Sequence, residues 1–187
     1  MVETMDNGPQ EIRWIGQQTI GAGALMAQPK LRPIRIQAGA LGQGLPERDL
    51  LVSPQHRMLA SNRLAQRMFG TQEVLVAAKQ LVALNGIDVA DDVDEVTYVH
   101  FLCDQHEVVF AEGAASETLY TGTEALKSVG KAAREEIFSI FPELREREPD
   151  ALPAAGARPF VNGRMGRQMA QRLVNNSKLP LEPACRT

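Results

Sequence analysis

The sequence predicts a mainly β fold with helices near its C-terminus. From Glu11 to Phe110, short apolar runs are separated by Gly, Pro, Asn and Asp, a pattern typical of successive strands and turns. After Gly122 the apolar residues adopt helical spacing instead. With 187 residues, 44% of them hydrophobic, the chain is long enough to form one domain with a substantial core.

Composition and charge exclude several classes of protein. The net charge of −3 offers no basic surface for nucleic acid, and no apolar run approaches the roughly 18 residues needed to cross a membrane. The N-terminus lacks the basic-then-apolar order of a secretion signal, and two cysteines, Cys103 and Cys185, do not make a disulfide framework. We therefore expect a cytoplasmic protein with no cofactor and no nucleic-acid or membrane partner, while secretion without an N-terminal signal stays open.

Four stretches in the first half of the chain are candidate strands. Ile12 and Trp14 alternate with polar residues in the first stretch, as do Ile34 and Ile36 in the second, so each strand has one face to bury. The stretches are EIRWIGQQTI, RPIRIQAGAL, DLLVSPQHRMLA and EVLVAAKQLV. A strand and a helical turn both fit residues 64–69.

A hairpin is predicted in VTYVHFLCDQHEVVFAEG, with Asp104 and Gln105 as its loop. This register pairs Cys103 with His106 and places His100 on the opposite face, so the two histidines would not share a ligand position. With no Cys-x-x-Cys present, we expect no metal site. Cys103 is expected to be structural, because its acidic neighbours disfavour a thiolate.

Two helices are predicted after the strands. In the first, Ile137, Phe138 and Phe141 lie at helical spacing, with Thr123 as a cap and Pro142 as the stop. The second carries an apolar stripe of Met165, Met169 and Leu173. Between them, REREPDALPAAGARP is typical of a linker. We therefore divide the chain into a β-domain at 1–145, with a short helical segment near its end, and a linker, amphipathic helix and flexible tail at 146–187.

His56 is the first candidate for chemistry. It follows Ser53 by three residues across a proline, in LVSPQHRMLA, and such a turn can aim a hydroxyl and an imidazole into the same small space. A pair of this kind polarises a peptide carbonyl and protonates its amide nitrogen. The alternative is a histidine at a strand end or loop without a catalytic task. Spacing alone does not decide between them.

The block around His56 resembles the Thr-x-x-His block of the Hint superfamily, the fold shared by Hedgehog autoprocessing domains and inteins, with Ser53 where threonine is more usual. The resemblance extends to bacterial Hedgehog/intein-type Hint domains and covers the chain from about Asp6 to the C-terminal helix. It rests on DNGPQEIRWIG, PIRIQAGALGQGLPERDLLVSPQHRMLA, EVLVAAKQLV, VTYVHFLCDQHEVVFAEGAASETLYTG and ARPFVNGR. It implies a Hint-like, horseshoe-shaped β-fold with C-terminal helices.

The resemblance also implies a chemistry, because such domains cleave their own backbone by intramolecular acyl transfer. A cysteine or serine at the first residue of the domain attacks the preceding carbonyl, and the block histidine assists departure of the amide nitrogen. His56 would then be the proton donor and Ser53 its hydrogen-bonding partner. His106 lies in the second block, where a histidine or aspartate often assists, with Asp104 as its orienting partner.

The sequence departs from the family pattern at its start. Related domains open with a cysteine in a stretch like Cys-Phe-x-x-Gly-Thr, which this chain lacks, and neither Cys103 nor Cys185 stands in for it. We therefore expect the chain as written to be inactive in self-cleavage. Residues 2–4 are typical of the middle of a strand, so we expect the true start to lie upstream of Met1; the partner would be that upstream region or another chain that supplies the missing strands. The rival hypothesis is a non-catalytic β interaction module.

Overall fold

The computed structural model describes residues 1–122, 126, 129–146 and 155–182 and confirms a mainly β fold with C-terminal helices. The strands are β1 (Val2–Thr4), β2 (Gly8–Gln10), β3 (Trp14–Gly21), β4 (Ile34–Ile36), β5 (Leu50–Val52), β6 (Arg57–Ser61), β7 (Glu73–Ala77), β8 (Ile87–Val89), β9 (Glu95–Leu102), β10 (Val108–Ala111) and β11 (Ala114–Glu117). The α-helices are α1 (Ala22–Ala27), α2 (Arg63–Phe69), α3 (Lys131–Ile140), α4 (Glu143–Glu146) and α5 (Gly163–Asn175), and two 3₁₀ turns span Pro29–Leu31 and Ala78–Gln80.

The strands form three antiparallel sheets. The largest has six strands in the order β2-β1-β10-β11-β6-β7, while β3 pairs with β9 and β4 lies between β5 and β8. All four predicted stretches contain strands. The third contains two, β5 and β6, because residues 53–56 form a turn between them.

Residues 64–69, for which a strand and a helix both fitted the sequence, belong to helix α2. The side chain of Asn62 accepts the N–H of Ala65 at the start of this helix, and Gly70 ends it with a φ of 77°. An Asn N-cap followed by a left-handed glycine after the last turn is a common pair of helix ends.

The predicted hairpin at Asp104 and Gln105 is wrong. Strand β9 pairs along its whole length with β3, so His100 lies opposite Gly16 and Cys103 does not pair with His106. The hairpin lies one strand later, where β10 turns into β11 at Glu112 and Gly113. Both loop residues have positive φ, as a two-residue type I′ loop requires, and a glycine favours this conformation whereas Asp-Gln does not.

The predicted apolar stripes are buried as expected. Met169 and Leu173 of α5 are fully buried in the largest core cluster, and Met165 packs against it. Ile137 of α3 is fully buried in a second cluster around Trp14, whose indole N–H donates to Glu136. Helix α3 ends at Ile140, just before the predicted stop at Pro142, and the predicted cap Thr123 lies outside the described residues.

The last part of the predicted linker lies against the β-domain, and we call residues 155–161 the strap. Phe160 of the strap forms a parallel bridge with Leu75 of β7. Arg158 is bonded to both Asp6 and Glu73. The rest of the predicted linker, 147–154, and residues 183–187 of the predicted flexible tail, LPLEPACRT at 179–187, lie outside the described residues, Cys185 among them. Leu181 of that tail is buried and forms a parallel bridge with Ser61.

Candidate functional site

A tight turn holds the two residues of the Ser-x-x-His block. The N–H of His56 donates to the carbonyl of Ser53 at 3.0 Å, which closes a turn with Pro54 at its second position. The 3₁₀ turn Ala78–Gln80 anchors the turn at Ser53–His56. Ala78 N–H donates to the His56 carbonyl at 2.9 Å, and Lys79 N–H donates to the Pro54 carbonyl at 3.1 Å. The backbone on both sides of the imidazole is therefore fixed.

The side chains of Ser53 and His56 form no hydrogen bonds to other groups in the described part of the chain. Ser53 and His56 are both half-buried. Within the described part of the chain, the His56 imidazole and the Ser53 hydroxyl have no hydrogen-bond partner, and neither side chain has its polar atoms sealed from solvent. Both are available to a group that approaches the turn.

The environment of His56 keeps its imidazole neutral. Its pKa is lowered to about 4, mainly by burial; the carboxylate of Glu117 opposes the shift, and the nearby Arg57 guanidinium adds to it. At neutral pH this ring is therefore a proton acceptor. The protonated ring is a stronger acid than an ordinary histidine, so it gives the proton up readily.

Glu117, at the end of β11, is the residue around which the site is assembled. Its buried carboxylate accepts the backbone N–H of Arg57 at 3.0 Å and the guanidinium of the same residue at 3.0 Å to each oxygen. It also contacts Nε2 of His106 at 3.2 Å. The carboxylate therefore touches the residue after His56 and the ring of His106 at once.

His106 has both ring nitrogens engaged. The backbone N–H of Ala157, in the strap, donates to its Nδ1 at 2.9 Å, so Nδ1 carries a lone pair and the ring proton lies on Nε2, facing Glu117. The side chain is only 3% exposed. It stands edge-on to the rings of Tyr120 and Phe160. Proton transfer by His106 would require one of these hydrogen bonds to open.

Sequence reasoning singled out the two histidines but missed Glu117 and named Asp104 as the orienting partner. The structure places Asp104 with Arg13 instead, at 2.7 Å, where the aspartate is 61% exposed. A signal for Glu117 was present, because in a strand it shares a face with Ala115, which is buried. A carboxylate on a buried face needs charged or hydrogen-bonding partners.

The buried thiol of Cys103 lies beside a cavity of about 250 Å³ that His106 also lines. Burial raises the pKa of this thiol, and the charges of Glu107 and Asp104 add to the rise, so the thiol stays protonated at neutral pH.

Among the described residues, no group of three or more His, Cys, Asp and Glu side chains is placed to hold a metal ion, and no helix is long and apolar enough to cross a membrane.

These observations define a class of protein: a mainly β domain of antiparallel sheets in which a Ser-x-x-His turn and a second histidine meet at one buried carboxylate. Comparison with known families gives the particular family. The family model of the Hint domain matches residues 1–123, which is more than half of the chain. The chain belongs to the Hint domain family, as its sequence predicts. No curated protein and no solved structure gives a significant match.

Proposed function

We propose that this chain carries the proton-transfer part of a self-cleaving Hint domain, in which intramolecular acyl transfer breaks a peptide bond. The observation that carries the proposal is the neutral, unbonded imidazole of His56 on a rigid turn that also carries Ser53. Both groups are needed for such a reaction, since an amide becomes a leaving group only when its nitrogen is protonated and its carbonyl oxygen is stabilised.

In the proposed reaction, a cysteine thiol adds to the carbonyl carbon of the peptide bond that precedes it. His56 accepts the thiol proton and then donates it to the amide nitrogen, the C–N bond breaks, and a thioester and a free amine remain. The Ser53 hydroxyl donates a hydrogen bond to the oxygen that becomes negative in the intermediate. The low pKa of His56 suits the second half of this proton transfer, because the protonated ring gives its proton up readily to the amide nitrogen.

Neither cysteine of the chain is expected to be the nucleophile. The Cys103 thiol is buried and protonated, and Cys185 lies near the other end of the chain from the peptide bond that the reaction would break. We therefore propose that the 187 residues do not cleave themselves, and that the attacking cysteine belongs to another polypeptide segment, upstream in the same protein or in a second chain. His106 would support the site through Glu117, with its ring bonded on both sides.

The test follows the natural polypeptide that contains these residues, including any that precede Met1, by mass spectrometry with and without dithiothreitol. We expect thiol-dependent release of the upstream part, slowed about 10²–10⁴-fold by His56→Ala. His100→Gln is the matched control: His100 lies near His56, and burial lowers its pKa so that it is neutral at pH 7. Release that survives His56→Ala, or a natural polypeptide that starts at Met1 and never cleaves, would contradict the proposal.

The rival function, a non-catalytic interaction module, is favoured by one observation. Ile15 and Val99 are 62% and 54% exposed on the same face of the β3–β9 pair, and apolar patches on a sheet face are common binding surfaces. In that case the Ser53–His56 turn serves packing alone. The absence of thiol-dependent release in the experiment above would remove the cleavage proposal and leave this function standing.

A further inference from the structure

We propose that Glu117 is a positioning residue that holds the His56 turn and the His106 ring in fixed relation to each other. The inference rests on the proposed function, because it assigns to Glu117 a part in the same site. Its geometric content can be tested without any cleavage reaction.

The first contact of Glu117 fixes the peptide that follows His56. The N–H of that peptide belongs to Arg57 and donates to the carboxylate at 3.0 Å, while its carbonyl, that of His56, accepts the N–H of Ala78 at 2.9 Å. The peptide is therefore held at both its donor and its acceptor, and the direction in which the imidazole leaves the backbone is set. A bond from N–H to an ionised carboxylate is stronger than one to a neutral acceptor.

The second contact fixes the ring of His106. The Ala157 N–H holds Nδ1 as an acceptor, so the Nε2 proton faces the carboxylate of Glu117. One carboxylate therefore orients the backbone of the first histidine and the ring of the second. A displacement of Glu117 moves both.

Strand register explains why Glu117 can reach both places. Glu117 lies opposite Val108, two residues after His106, and its neighbour Ser116 lies opposite Met58, two residues after His56. The last residue of β11 is therefore beside the first residues of both β6 and β10.

The Arg57 guanidinium balances the negative charge of Glu117. Its side chain is 6% exposed, and the Arg57 guanidinium is bonded to both of its oxygens. The same guanidinium stacks over the ring of Phe160 at 4.2 Å, which shields the pair on the strap side. A buried carboxylate with this many donors is ordered, and removal of its charge leaves those donors unsatisfied.

The first experiment measures the 187-residue chain by NMR at pH 7. In Glu117→Gln, we expect the Arg57 amide proton and the His106 Nε2 proton to move upfield and to exchange with water at least about tenfold faster, because both lose an ionised acceptor. The amide of Val76, which lies in the β6–β7 ladder, should exchange at the wild-type rate. A merely structural loss would speed exchange at Val76 as well.

Glu107→Gln is the matched control. Glu107 is buried directly before β10, but its carboxylate is bonded to the side-chain amide of Asn7 and to neither histidine. This variant should leave the Arg57 and His106 protons unchanged. If Glu117→Gln does not fold, Glu117→Asp keeps the charge but is one methylene shorter, and it should weaken at least one of the two contacts.

The second experiment measures cleavage in the natural polypeptide. Glu117→Gln should slow release about 10²-fold, by misplacement of the reacting groups, and should shift the acid limb of the pH–rate profile downward, because Glu117 raises the pKa of His56. NMR changes without any wild-type cleavage would overturn the proposed function and leave the positioning geometry standing. Cleavage that depends on His56 but not on Glu117, with unchanged proton signals, would overturn this inference alone.

Discussion

The side-chain amide of Asn62 donates to the carbonyl oxygen of Pro180 at 2.8 Å, while its Oδ1 accepts the N–H of Ala65 at 2.7 Å. One buried side chain therefore caps helix α2 and fixes the stretch that follows helix α5. The N-cap of α5, Asn162, also accepts an N–H, that of Met165, but it lies on the exposed side of its helix.

We expect Asn62→Ala to lower the free energy of unfolding by about 2 kcal/mol, since it removes a cap worth about 1 kcal/mol and a hydrogen bond to the Pro180 carbonyl worth about 1 kcal/mol. That carbonyl keeps the N–H of Ser61 as a second donor. Asn162→Ala removes only a cap and should cost about 1 kcal/mol. Urea unfolding measured by circular dichroism compares the two. Equal losses would show that the bond to Pro180 contributes nothing.

The glycine of the β10–β11 hairpin should resist substitution. Gly113 has a φ of 73°, and a Cβ there would lie 2.8 Å from Leu45 Cδ2, so Gly113→Ala should cost about 1–2 kcal/mol. Gly23 in helix α1 has nothing within 4 Å of a Cβ, and Gly23→Ala should stabilise by about 0.5–1 kcal/mol. Thermal unfolding of both variants checks the opposite signs.

The protein should lose stability in acid partly through His56. Its pKa is about 4 in the folded chain and about 6.5 otherwise, so the unfolded chain binds the proton first, and stability falls as the pH drops from about 6.5 to 4. At about 1.4 kcal/mol per unit, reduced by water contact at the half-buried ring, this amounts to about 2 kcal/mol. His56→Gln should flatten that part of the curve of unfolding free energy against pH. An unchanged slope would mean that the imidazole is not desolvated.

The attachment of the strap to the β-domain should depend on Arg158. Its guanidinium is bonded to both oxygens of Asp6 at 2.8 Å and to Glu73 at 2.6 Å, and the bond to Arg158 lowers the pKa of Asp6. Arg158→Gln should speed hydrogen exchange at the amide of Val161, which the strap donates to β7. Arg158→Gln should also lower the free energy of unfolding at neutral pH. This difference from the wild type should disappear as the pH falls, because Asp6 then becomes protonated in both proteins.

The control for the strap is Arg48→Gln. Arg48 forms an ion pair of similar geometry with Glu112, but it is 80% exposed. Exposed pairs of this kind contribute little. Exchange at Val161 should therefore stay at the wild-type rate, and faster exchange in both variants would argue against a specific role for Arg158.

What the sequence could predict depends on how local the signal is. The alternation in β3 and β4 and the stripe of Met169 and Leu173 were readable because each repeats within a few residues of its own element. Strand pairing was not readable, since β9 finds its partner some 80 positions earlier in the chain, in β3. The same limit applies to the site. The turn at His56 was visible in sequence, whereas Glu117 reaches it only through the pairing of β11 with β6.

The strap is attached to the β-domain by its own bonds to Asp6, Glu73, Leu75 and His106, in addition to its position in the chain. A backbone break between residues 146 and 155 would therefore leave the two pieces associated. Fragments 1–146 and 155–187, produced separately, are expected to recombine into one particle and to co-elute on gel filtration. The second fragment alone, with its exposed apolar helix face, is expected to require the first in order to stay dissolved.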